Sequence, residues 1–395
     1  MNRAAYWLWL AAKDGMTALA KNQLLSRFGT PEHLYAMTRA EWEALPGLTR
    51  KQIDALSDKS LERARAIAFD CEKLHIQIIT QADSAYPDIL RSIPDPPLVL
   101  YVKGTLPDLE GVPGVGVVGT RKASPYGLLA ANEFGKGLAR AGFTVVSGMA
   151  LGADAAAARG ALEAGGKTIA VLAGGLNICY PPQNNFLMGD IQLSGAVISE
   201  NPPGTPHDGF RFPIRNRIIS GLSRGVLIVE APKRSGALIT AHLALDQGRE
   251  VFAIPGTIHA PNSVGCNQLI RDGEAALVMR PGDIAQALGH VARRAPAIST
   301  PPAPLPAHDL WDKIQQYTEQ PETPAEPKPA GPPKIPDSVN DTQREILQAV
   351  LDGAETPEEI LEKTDLPAAR VMTELTMLEL DGILGRKNGA IVRKF

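Results

Sequence analysis

The sequence of 395 residues has little cysteine. Cys71, Cys179 and Cys266 lie far apart, and no C-x-x-C pair occurs. That argues against a disulfide framework and a zinc-thiolate site, and it leaves buried free thiols as the expectation. The seven histidines are scattered, and no metal or cofactor is expected. Long apolar runs are missing too. The N-terminal AAYWLWLAA (4–12) is far too short to span a bilayer. It also lacks the basic region and small-residue cleavage site of a signal peptide, so a cytoplasmic protein with no membrane partner is expected. The net charge is only −3, but it is unevenly spread. Residues 111–289 carry fifteen Lys and Arg against twelve Asp and Glu, whereas 341–395 carry seven against eleven. A polyanion would therefore meet the central segment rather than the C-terminal one.

What is present divides the chain. Twelve prolines fall between 296 and 336, with Ala, Thr and Glu around them. Such a stretch buries no core and reads as an extended linker, within which HDLWDKIQQY (308–317) is a candidate short docking helix. Beyond it, Ile346, Leu347, Val350 and Leu351 recur at helical spacing before Gly353. Thr356-Pro357-Glu358-Glu359 forms a capping box that opens a second helix. Pro367 opens a third, running to Asp381, and Asn388-Gly389 marks a hairpin turn. Three helices and a hairpin make a winged helix, and its acidic balance favours protein contact over DNA contact. The first 70 residues read as short helices. Pro46-Gly47 there has the form of a helix-hairpin-helix turn, and equally of a plain turn between packed helices.

The middle is α/β. Apolar, β-branched runs at 115–118, 143–146, 168–172, 196–198, 226–229 and 251–254 alternate with helical stretches. That pattern predicts a doubly wound, mostly parallel sheet covered on both faces. PLVLYVKG (97–104) is expected to join an edge. Ligands of such sheets bind outside the carboxyl ends of the strands. Those ends read Gly119-Thr120-Arg121, with Lys122 following, then Ser147-Gly148, Ala173-Gly174-Gly175, Ser199-Glu200-Asn201 and Pro255-Gly256. In KRSGALITAH (233–242), Lys233 and Arg234 precede Ser235-Gly236 at a helix start, with Thr240 one turn in.

Two motifs in this region are decoys. Gly114, Gly116 and Gly119 have the G-x-G-x-x-G spacing of a dinucleotide site, but the first two fall before or inside the strand. The next strand ends in Ser147-Gly148 rather than an acid. Gly221-Leu222-Ser223-Arg224-Gly225 matches G-x-S-x-G in the order helix, turn, strand, the reverse of a nucleophile elbow.

The most informative stretch is FRFPIRNRIISGLS (210–223). Arg211, Arg215 and Arg217 surround Phe210 and Phe212, with Asn216 between the last two arginines. Arginines would neutralise phosphates and a ring would stack on a base, which suits single-stranded nucleic acid. The competing reading makes Phe212, Ile218 and Ile219 core and pairs the arginines with Glu200 and Glu230.

Together these segments resemble the DNA-processing protein A (DprA/Smf) family. VGVVGTRKASPYG, the run from VVSGMALGAD to YPPQN, SENPPGTP, FPIRNRIISGLSRGVLIVEA, SGALITAHLALDQGREVFAIPG and GCNQLIRDGE carry the likeness over about 115–275, and DSAYPDILRSIPDPPLVLYVKG (83–104) extends it. The resemblance implies a helical SAM-like or helix-hairpin-helix domain (1–75), an extended Rossmann domain (76–289), the proline-rich linker (290–337) and a winged helix (338–395). It implies no enzyme. It points to a homodimer that binds single-stranded DNA, protects incoming strands and helps load RecA recombinase in natural transformation and recombination. Carried over by motif, the pocket takes in Gly119, Thr120, Arg121 and Lys122, then Ser147 and Gly148. Phe212, Arg215, Asn216 and Arg217 follow, with Ser235, Gly236 and Thr240. Thr120 stands where serine is common, and NNFLMGD (184–190) lacks a basic residue found nearby in some relatives. Two alternatives remain. Nucleoside-monophosphate N-glycosidases of a related fold carry P-G-G-x-G-T-x-x-E, but KRSGALITA has neither the paired glycines nor the Glu. A partner scaffold with a vestigial pocket is the other.

Overall fold

In the computed structural model the described residues are 4–289 and, with short interruptions, 339–393. They fall in two units, Met1–Ile298 and Ser299–Phe395. The proline-rich linker and the candidate helix at 308–317 lie outside the described residues.

The first unit is built on nine strands. These are β1 (Gln77–Thr80), β2 (Val99–Gly104), β3 (Gly114–Val118), β4 (Thr144–Ser147), β5 (Thr168–Val171), β6 (Ala196–Ser199), β7 (Gly225–Ile228), β8 (Glu250–Ala253) and β9 (Ala276–Leu277). Their order is β1-β2-β6-β5-β4-β3-β7-β8-β9. All neighbours are parallel except where β2 runs against β1 and β6. The chain starts the parallel core at β3, winds outward to β6, then returns to the other side of β3 as β7. The crevice between β3 and β7 is therefore the switch point, where two strand-end loops diverge and leave room for a ligand. The apolar runs predicted from sequence form the central strands. PLVLYVKG is not the edge, because Gln77–Thr80 pairs outside it.

Alternation along the strands sorts side chains to two faces. Val115, Val117, Val145, Leu227 and Phe252 pack under the helices Pro125–Arg140 and Ala153–Glu163. Val118, Val146, Val226 and Ile228 pack under Arg211–Gly221 and Gly236–Asp246, which supply Ile218, Ile219, Ala237 and Ala241. The N-terminal helices contribute Trp7, Trp9, Leu34, Trp42 and Leu56 to one core shared with Val99, Tyr101 and Val197 of the sheet. Pro46-Gly47 lies between the helices Arg39–Glu43 and Arg50–Ser57.

Both decoys resolve locally. Gly114 and Gly116 lie inside β3. Ser223 is buried and donates to Ile219 O at 2.8 Å, which closes a helix-to-strand turn.

The second unit packs Ile346, Leu347 and Val350 of the helix Asp341–Leu351 against Ile360, Val371, Leu375 and Leu378. Thr356 caps the helix Pro357–Lys363 by accepting from Glu359 N. A hairpin of β10 (Leu384–Lys387) and β11 (Ala390–Arg393) follows. Asn388 and Gly389, and part of the third helix expected over 367–381, lie outside the described residues.

The cysteines give a direct check of the core. Cys71 and Cys266 are buried, and burial pushes their thiols up to about 11 and about 12. Cys179 is only half-buried. The thiolate is the reactive form, so a disulfide reagent at mildly alkaline pH should label Cys179 first. Cys71 and Cys266 should react only on unfolding. Mass spectrometry of labelled peptides reads the order, and rapid labelling of Cys266 in the folded chain would contradict this packing.

Candidate nucleic-acid interface

The β3 and β4 ends are organised by a residue the sequence reading did not single out. Asp154 sits in the first turn of the helix Ala153–Glu163 and is buried. Its carboxylate accepts from Gly119 N at 3.3 Å, Gly148 N at 3.0 Å and Ala150 N at 3.4 Å. The Gly119 and Gly148 N–H groups at the strand ends thus already hold a carboxylate of the protein's own. Burial pushes the carboxyl upward, against the pull of Arg215 and of the three N–H groups.

Arg215 lies beneath the same turn and is 6% exposed. It donates to Gly148 O at 2.9 Å and to Val171 O, tying the β4 and β5 ends to the helix Arg211–Gly221. Burial lowers it to about 10, while Asp154 opposes the fall and Arg121 adds to it. A Cβ at residue 148 would lie 2.5 Å from the Arg215 guanidinium, so this approach requires glycine.

Arg217 points elsewhere. It is 4% exposed, donates from Nε to Asp95 at 2.8 Å, and forks onto Glu200 at 3.1 and 2.6 Å. Burial pulls its basicity down, but the two carboxylates outweigh that and hold it above the usual range. Its charge is neutralised inside the fold, as the competing reading of this stretch expects for Glu200. Among the described residues Glu230 takes no arginine. It accepts from Ser124 N at 2.9 Å and Ser124 Oγ at 2.6 Å, which fastens the start of the helix Pro125–Arg140.

The remaining pocket residues divide by exposure. Ser147 is buried and donates to Val117 O at 2.7 Å, so its hydroxyl serves the sheet. Thr240 is buried and donates back to Gly236 O. Asn216, also buried, donates to Gly236 O at 3.3 Å and joins the two helices of that face. Ser235 caps its helix by accepting from Ala237 N. Thr120 N donates to Glu230 O at 2.8 Å, across the β3–β7 crevice.

Exposed are Arg121, Lys122, Lys233, Arg234 and Gly236. Among the described residues none of these four cations has a carboxylate partner. Arg121 lies over the half-buried Phe212 ring, 4.9 Å from its centroid. A pocket of about 70 Å³ opens beside them, lined by Arg121, Gly148, Ala150, Leu151, Tyr180, Pro181 and Phe212. Leu151, Tyr180 and Pro181 carry no periodic signal in their Gly- and Pro-rich loops. No group of metal-ligating side chains occurs among the described residues. No described helix is long and apolar enough to cross a membrane.

Fold and site define a doubly wound α/β protein with a cationic, aromatic strand-end surface and a separate C-terminal winged-helix unit. The chain belongs to the DNA recombination-mediator protein A family, whose model matches residues 77–289. The DprA winged helix domain matches 323–390. Protein Smf of Synechocystis is 32% identical over 98% of this chain and 97% of its own length. Protein Smf of Escherichia coli is 38% identical over 79% and 76%. DNA processing protein DprA of Streptococcus pneumoniae is 46% identical over 51% and 71%. The X-ray structure of that protein aligns with a TM-score of 0.57 at 34% identity, covering 72% of this chain and 98% of the other.

Proposed function

We propose that this recombination-mediator chain binds single-stranded DNA at the carboxyl edge of β3, β4 and β7. In this reading it shields incoming strands and helps load RecA recombinase in natural transformation and recombination, acting as a cytoplasmic homodimer. The observation that carries the DNA assignment is Arg121, an exposed cation with no carboxylate partner among the described residues, stacked on Phe212 at the topological switch point. Cation and ring side by side offer a phosphate contact and a stacking surface. Lys122 adds charge on the same loop, and Lys233 and Arg234 do so on the neighbouring one. Gly119 and Gly148 keep the backbone low at the strand ends. Arg215, Arg217, Asn216, Ser147 and Thr240 then shape and brace the surface rather than touch the strand.

The carboxylates beside these strand ends favour binding over bond cleavage. Asp154, Glu200 and Glu230 are each held by groups of the protein itself. A titration with single- and double-stranded oligonucleotides at two salt concentrations tests the reading. Tighter single-strand binding that weakens with salt is expected. Equal or stronger duplex binding would overturn it.

A further inference from the structure

The turn that leaves β4 is strained where it meets the loop of Arg121. Met149 has φ 55°, a left-handed conformation that residues with a side chain rarely adopt. Among the described residues only His75 shares it, and His75 is exposed whereas Met149 is fully buried. Three buried side chains from three separate elements hold the backbone around it. Asp154 accepts from Gly148 N at 3.0 Å and Ala150 N at 3.4 Å. Arg215 donates to Gly148 O at 2.9 Å. Asn184, in the short 3-10 helix Pro182–Asn184, is 1% exposed and donates from Nδ2 to Met149 O at 2.9 Å. The held turn then packs against the loop after β3. Gly152, itself at φ 79°, lies so close that a Cβ there would come within 2.4 Å of Thr120 O and 2.7 Å of Arg121 O. Ala153 N donates to Thr120 O at 3.4 Å, and Asp154 accepts from Gly119 N at 3.3 Å. Backbone strain persists only where the surroundings over-determine it, and here they do so beside the exposed cation.

We infer that Asn184 and Asp154 are positioning residues for single-strand binding. They keep Met149 in its strained conformation, and the turn 148–152 thereby fixes the backbone from which Arg121 reaches a phosphate. The inference rests on the single-strand binding proposed above, with Arg121 as a phosphate contact. Both positioning residues are buried, so they act through Arg121 rather than on DNA. A glycine would adopt the Met149 conformation freely. The Met149 side chain, however, belongs to the core that includes Leu172, Leu176 and Leu187, so packing keeps the strain in place and the polar clamp must hold it. Without the Asn184 amide, Met149 O loses its donor and the residue can relax to a negative φ. That rotates the peptides on either side and lifts Gly152 away from the Thr120 and Arg121 carbonyls. The Arg121 cation survives, but its loop must then be ordered at the moment of binding, which costs affinity.

The test is a double-mutant cycle on oligo(dT) affinity with the full-length chain. Asn184→Ala is expected to weaken binding roughly two- to tenfold, within the range of coupling between residues of one network. In an Arg121→Ala background the same substitution should change affinity by less than about twofold, because the residue it positions is already gone. Asp154→Asn should follow the same pattern. Its single amide oxygen cannot serve Gly119 N on one side and Gly148 N and Ala150 N on the other. Circular dichroism establishes that each variant is folded. No loss in folded Asn184→Ala, or equal losses with and without Arg121, would overturn the positioning role and leave single-strand binding standing. Failure of both variants to fold would overturn it too, since the turn would then serve folding alone. A wild-type chain that does not bind oligo(dT) would overturn the parent reading along with it.

Discussion

Arg217→Ala is expected to destabilise the unit Met1–Ile298 by about 3–5 kcal/mol, the usual consequence of removing one partner from a buried ion pair. The expectation follows from geometry. One guanidinium serves two carboxylates, Asp95 through Nε and Glu200 through the fork. The Arg217 side chain is 5% exposed and Glu200 17% exposed, so little water is available to replace the lost cation. Arg217→Lys should recover only part of the loss, since an ammonium cannot fork onto Glu200 and reach Asp95 together. Thermal unfolding of the full chain measures the effect, and the midpoint of the first unit should fall on the order of 10 °C. The salt dependence of DNA binding by the folded fraction should stay near wild type, because this charge is already neutralised. A stable Arg217→Ala protein with a flattened salt slope would reverse the assignment and return Arg217 to the DNA surface.

That contrast shows where the sequence stopped being legible. The seven strands from β2 to β8 were readable because each is a short apolar run between turn residues. β1 and β9 were not, because Gln77–Thr80 carries only two apolar residues and Ala276–Leu277 is only two residues long. The cations of FRFPIRNRIISGLS were visible, but their partners were not. Arg215 finds Gly148 67 positions away, and Arg217 finds Asp95 122 positions away. Helical spacing sorts Arg215 and Arg217 to different directions, two residues apart, but it does not say which direction is buried. The competing reading named Glu200 correctly and Glu230 incorrectly, because Glu230 faces a helix start and takes Ser124 instead. Asp154 did leave a signal, a single acid in the first turn of an alanine-rich helix. Such an acid complements the helix dipole, and nothing in sequence separates that from holding two strand ends. Asn184 stands in a stretch without periodicity, and only the fold brings its amide onto Met149 O.

Arg121→Ala is the opposite case and is expected to act on binding alone. Arg121 is exposed, has no carboxylate partner among the described residues and lies over the Phe212 ring, 4.9 Å from its centroid. Its removal breaks no ion pair and opens no cavity, so stability should stay within about 0.5 kcal/mol of wild type. A phosphate contact on single-stranded DNA contributes about 0.7 to the slope of log affinity against log salt. Loss of one contact should flatten the slope by roughly that amount and lower low-salt affinity about tenfold, the range of a charge-assisted hydrogen bond. Arg121→Lys separates charge from stacking. Lysine keeps the cation, so the salt slope should return, but it loses the guanidinium over the Phe212 ring, so affinity should recover only in part. Fluorescence anisotropy with labelled oligo(dT) over a salt series reads both quantities. If folded Arg121→Ala keeps both its affinity and its slope, the switch-point cation is not a phosphate ligand, and the site must be sought along Lys233 and Arg234 instead.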